Sequence, residues 1–100
     1  MAIGSSPARF IAGNDEFSFG STSGHSEAGP DVTNVEVMVY STVAAWMRIT
    51  RDGKNAGKDG KLNQFVDAGV YLVFAVQPAS IVSMIAADDE DGIARITWLT

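Results

Sequence analysis

Val35-Glu36-Val37-Met38-Val39-Tyr40 alternates without a break, with three valines on one side and Glu36, Met38 and Tyr40 on the other. Side chains of a strand point to opposite faces at every step, so this run predicts a half-buried β-strand over 32–40. The pattern repeats outward from it. Ala45, Met47 and Ile49 alternate with Trp46, Arg48 and Thr50, and the short link at Ser41-Thr42 predicts a hairpin between these two strands. Val70 to Val76 is apolar on both faces, which predicts a central strand covered on both sides. Ile81 to Ala86 and Ile93 to Leu99 complete the series, with a short strand at Leu62 to Val66 and another near Phe17. Turn residues separate the segments: Asp67-Ala68-Gly69, Gln77-Pro78-Ala79-Ser80 and Asp88-Asp89-Glu90-Asp91-Gly92. About seven strands at this spacing predict an all-β, antiparallel β-sandwich, with an immunoglobulin-like or a jelly-roll topology. Periodicity does not choose between the two.

The composition changes near Asp31. Residues 1–31 hold five of the ten glycines and six of the nine serines, with Ile3, Phe10, Ile11, Phe17 and Phe19 as the main hydrophobes. This divides the chain into an extended N-terminal arm, 1–31, and a β-sandwich domain, 32–100. Ordering such an arm costs about 1–2 kcal/mol per residue in backbone entropy. Burying one phenylalanine returns about 1.5–3 kcal/mol. A few rings do not offset the whole arm, so the expectation is a segment loose in the free protein, with Phe10, Phe17 and Phe19 as anchors and its backbone paired to a neighbour's sheet edge.

The 100 residues make one small domain with a modest core. There are no cysteines and one histidine, His25, so disulfides, thiolate metal sites and multi-histidine sites are excluded, and self-assembly is the reinforcement left open. The net charge of −5 disfavours general binding to nucleic acid. No segment has the apolar length of a membrane span, and the start, Met1 to Pro7, lacks the pattern of a signal peptide. The expectation is a protein made in a cytoplasm.

No catalytic or cofactor motif stands out. In Gly20-Ser21-Thr22-Ser23-Gly24 the centre of the would-be nucleophile elbow is threonine, and neighbouring His25 sits in a Gly/Ser tract that does not hold it in place. The expectation is therefore no enzyme and no cofactor. The acids at 88–91 are contiguous, and the twelfth residue from Asp88 is Leu99, which fails the EF-hand calcium pattern. Four of the seven basic residues, Arg51, Lys54, Lys58 and Lys61, fall in one glycine-rich loop of net charge +2, against −4 for Asp88, Asp89, Glu90 and Asp91. Loops of opposite sign can steer copies of the chain into contact; the plainer alternative is two unrelated polar loops. Trp46, Trp98, Tyr40 and Tyr71 are candidates for a sugar-binding platform, or for core and edge packing.

The layout as a whole resembles small β-sandwich virion proteins of tailed bacteriophages. The likeness is carried by Val35 to Tyr40, Ala45-Trp46-Met47-Arg48-Ile49-Thr50-Arg51-Asp52-Gly53, Asp67-Ala68-Gly69-Val70-Tyr71 and Ala94-Arg95-Ile96-Thr97-Trp98. It covers 32–100 and contains no diagnostic motif. It implies a non-enzymatic capsid decoration (cement) protein on the virion surface that bridges subunits of the major capsid protein, as a homo-oligomer, commonly a trimer. The alternative within the resemblance is a carbohydrate- or receptor-binding module of a tail or fibre.

Overall fold

The computed structural model describes residues 9–100. Eight strands follow one another: β1 (Ile11–Phe19), β2 (Gly24–His25), β3 (Glu36–Ser41), β4 (Ala45–Thr50), β5 (Gln64–Val66), β6 (Tyr71–Ala75), β7 (Ile81–Ala86) and β8 (Gly92–Leu99). No helix occurs among the described residues. The strands form two four-stranded sheets, β1-β8-β3-β6 and β2-β7-β4-β5. Every pairing is antiparallel.

The pairings nest. β1 lies against β8, β2 against β7, β3 against β6 and β4 against β5. This is one long antiparallel ribbon, folded back on itself between β4 and β5. The ribbon is then rolled, so that β8 also pairs with β3 and β7 with β4. Rolling a ribbon in this way makes the jelly-roll sandwich, and of the two topologies expected this is the one present.

Alternation along the strands supplies the core. Val37 and Val39 of β3 and Ala94, Ile96 and Trp98 of β8 face inward from the first sheet. Ala45 and Met47 of β4, Val66 of β5, and Val82, Met84 and Ala86 of β7 meet them from the second. None of these is more than 4% exposed. The space between the sheets is filled by apolar side chains, so this roll encloses packed residues.

The division expected at Asp31 is not a division of the fold. β1 runs in register with β8 from Ile11↔Leu99 to Phe19↔Gly92, with one bulge between Ile11 and Gly13. Beyond β2, Ser26 N–H donates to the Val82 carbonyl at 2.8 Å, and Gly29 N–H to that of Ser80 at 2.8 Å. From Phe10 onward, the stretch expected as an arm is bonded along the length of the sandwich; residues 1–8, Ile3 among them, lie outside the described residues. The reason is that an edge strand needs little apolar area when its backbone is fully paired. The sheet edge it completes belongs to its own chain.

Two further expectations are corrected. β3 and β4 do not form a hairpin but lie in opposite sheets. The link between them is an arch, fixed by Thr42 N–H to the Ile93 carbonyl at 3.1 Å and by Ala87 N–H to the Ala44 carbonyl at 2.9 Å. β6 is an edge strand, not a central one, and its outer residues Tyr71 and Val73 are exposed. An apolar outer face reads like a buried one in sequence.

Two glycines mark where the roll closes tightly. A Cβ at Gly24 would collide with the Ser18 backbone carbonyl, and one at Gly29 would come within 2.7 Å of the buried Trp98 ring. At Gly57 the nearest atom to such a Cβ is 3.9 Å away. Gly24→Ala should therefore destabilise by about 1–3 kcal/mol, whereas Gly57→Ala should lie within about 0.5 kcal/mol of the parent. Urea titration of both variants checks this; equal midpoints would refute the close approach at β1–β2.

Candidate functional site

With the centre of the sandwich packed, the accessible surfaces are its outer faces and its open corner. On the outer face of the first sheet, strand register brings Tyr40 opposite Tyr71 and Met38 opposite Val73. The two tyrosine rings stand 4.7 Å apart, centre to centre, at 35°. Tyr71 is 61% exposed and Val73 54%. The turn that delivers β6 here depends on Gly69, whose φ of 75° lies in the left-handed region, and whose N–H donates to the Ser41 carbonyl at 2.8 Å. Among the described residues, no strand lies beside the free side of β6. Exposed apolar side chains thus lie beside the unpaired edge of β6, and strand edges of this kind are in general templates for pairing.

Toward β1 the same face turns polar. Arg95 lies in register between Tyr40 and Glu16. Thr97 Oγ1 donates to Asn14 Oδ1 at 3.0 Å. Arg9 reaches back to Glu36 at 3.2 Å and to the Asn34 carbonyl at 2.8 Å.

The residues expected as arm anchors separate. Phe19 is 5% exposed and belongs to the core. Phe17 packs against that core, with its ring 6.3 Å from that of Phe19. Both are used within their own sandwich, so neither is an exposed anchor for a partner. Phe10 is 74% exposed, while its backbone exchanges two hydrogen bonds with Thr100, of 3.0 and 2.9 Å.

The two charged loops meet within one chain. Lys58 Nζ lies 2.8 Å from Asp89 Oδ1, and Lys54 lies 4.0 Å from Asp52 of its own loop. Asp88, Glu90 and Asp91 are exposed beside Asp89. Among the described residues, no three or more His, Cys, Asp or Glu side chains are gathered so as to hold a metal ion.

The basic loop itself is not wholly solvated. It folds over the outer face of the second sheet, where Ala56 is buried and its N–H donates to Ser83 Oγ at 2.9 Å. Ser83 Oγ in turn donates to the Gly24 carbonyl at 3.0 Å, so one hydroxyl ties the loop, β7 and β2 together. Trp46 stacks edge-on against Phe65 at 5.3 Å beside Gly60 of this loop. Trp98 is in the core. Of the four aromatic residues considered for a sugar platform, only Tyr40 and Tyr71 stand together on an outer face.

Sequence reading missed a cleft of about 720 Å³ at an open corner of the roll. Its walls are the second half of β4, the chain at 60–64 and the end of β6 with the turn after it. Arg51 and Lys61 of the charged loop reach this cleft, together with Arg48 of β4. Arg48 is a charge set in an otherwise apolar strand, which was the signal available. The walls come from three distant segments, and no local pattern joins them.

Ser83→Ala should leave the buried Ala56 N–H without its acceptor, at a cost of about 1–3 kcal/mol. The expected outcome is faster amide exchange across 54–58 than in the parent. Unchanged protection there would show that the loop is held by other means.

No family model matches this chain, and a search of curated proteins finds no match. Among solved structures it is similar to a de novo designed double-stranded β-helix determined by solution NMR, with a TM-score of 0.57 at 10% identity, covering 87% of this chain and 99% of that one. That likeness is one of fold: two antiparallel sheets made by a coiled ribbon.

Proposed function

We propose that this chain is a non-enzymatic structural protein of a virion, a capsid decoration protein that docks on the shell and on copies of itself through the β3–β6 face. The observation that carries this reading is the exposed Tyr71 and Val73 surface beside the free edge of β6. The centre of the sandwich is packed with apolar side chains, which favours recognition at its outer faces and open edges. Jelly rolls serve in viral shells and in lectins, and the resemblance noted from sequence favours the shell. The partner on this reading is the major capsid protein or another virion protein, with a trimer as the favoured self-assembly. The N-terminal segment contributes by completing the sheet, not by reaching across to a neighbour.

The Tyr40–Tyr71 pair also favours a second reading, a carbohydrate-binding module of a tail or fibre, because paired exposed rings suit the apolar face of a sugar.

Two measurements separate these. In native mass spectrometry the parent is expected as a trimer. Tyr71→Asp combined with Val73→Asp should give a monomer with little change in Tm, because both side chains are exposed. Added to shells assembled from the major capsid protein of a tailed bacteriophage, the parent should raise the temperature of shell disruption and the double variant should not. A parent that neither associates nor binds such shells, but retains a glycan on an array, would transfer the assignment to the second reading.

A further inference from the structure

We propose that the corner cleft is a second binding site, which takes an acidic, extended polypeptide segment by adding it as a strand to the free edge of β4. Three independent observations lead to this occupant. The first is backbone. β4 pairs with β7 along its whole length, to Thr50↔Ile81, whereas its register with β5 stops at Met47↔Gln64. Arg48, Ile49 and Thr50 therefore have no strand partner on the cleft side, and no loop backbone replaces it. An open strand edge inside a cleft is the geometry used in strand addition.

The second is charge. Arg48, Arg51 and Lys61 line the cleft, and no carboxylate does. None of the three has an ionic partner among the described residues. The carboxylates nearest in sequence are engaged elsewhere. Asp52 lies 4.0 Å from Lys54, and Asp59 accepts the N–H groups of Lys61 and Leu62 at 3.0 and 3.3 Å. In a chain of net charge −5, three unpaired cations around one opening are a local reversal of sign. Such a reversal selects an acidic partner and sets its register.

The third is the floor. Ile49, Phe74 and Val76 are half-buried there and pack against the core, and Leu62 at the wall is 62% exposed. A small anion would use the cations but neither the strand edge nor the floor. Nucleic acid would meet the net negative charge. An extended segment carrying acidic side chains toward the rim and apolar ones toward the floor uses all three features, since alternate residues of a strand face opposite ways. The site borrows Phe74 and Ala75 from β6 but uses neither Tyr71 nor Val73, so its test, read at Arg48 to Thr50, is independent of docking through those two side chains.

The test is amide NMR on the full chain with two end-blocked hexapeptides, one alternating glutamate with valine and one alternating lysine with valine. The acidic peptide should move the amide signals of Arg48 to Thr50 and slow their exchange, and its affinity should fall about tenfold between about 50 and about 200 mM salt. Arg48→Gln with Lys61→Gln should weaken it at least about tenfold while leaving distant signals in place. Lys61→Gln alone, at an exposed side chain, serves if the double variant does not fold. Equal binding of the lysine peptide, the same shifts from glutarate at equal concentration, or no shift at millimolar acidic peptide would each overturn the proposal.

Discussion

The pairing of β1 with β8 is the interaction on which the rest of this fold depends. It joins the first described strand to the last and gives β8 a neighbour on each side. With β8 held, Ile96 and Trp98 face Val37 and Val39 of β3 across the register as one continuous inner surface. Against that surface the second sheet lays Met47, Val82 and Met84. Each inner residue loses its contact with water only because both sheets are complete, and burial of such side chains is the main favourable term in folding. β1 adds little apolar area of its own beyond Phe17 and Phe19. Its contribution is an edge of main-chain hydrogen bonds, which must be made by some partner wherever the backbone is buried.

Much of this was legible in the residues. Alternation located β3, β4 and β8 closely, because each carries polar or charged residues on one face and apolar ones on the other, and β7 was marked by its apolar run between two turns. Topology was not legible. Ser41-Thr42-Val43-Ala44 is as short as a hairpin loop, yet it carries the chain from one sheet to the other. Its arch is held by backbone bonds to Ile93 and Ala87, residues far along the sequence. Tyr71 and Val73 make β6 read as an interior strand, because hydrophobicity alone does not distinguish a covered face from an exposed one. The N-terminal segment was read as an arm on its poverty of hydrophobes. That argument treated side chains as the source of order, whereas here the order comes from the backbone. A short strand near Phe17 was legible; its full length, Ile11–Phe19, and its pairing with β8 were not.

The candidate sites follow the same division. Tyr40 and Tyr71 were visible as aromatic residues, but their contact arises only from the β3–β6 register. The charged loop was visible as a run of lysines. Its distribution was not: Lys58 turns to Asp89, while Arg51 and Lys61 turn to the cleft. Arg48, isolated in an apolar strand, gains meaning only where β5 ends and leaves the edge of β4 open.

The nested order of the pairs also sets a schedule. β4 and β5 close the smallest loop, β3 and β6 the next, and β1 waits for β8, which is synthesised after every strand it touches. The cost of closure rises with the length of chain enclosed, so assembly from the innermost pair outward is the less costly route. During synthesis β1 is then a strand without a partner, and its Gly13, Asn14, Ser18 and charged Asp15-Glu16 keep it soluble for that interval. The composition that made it look like a tether suits a strand that must remain unpaired until the rest of the sandwich has been made.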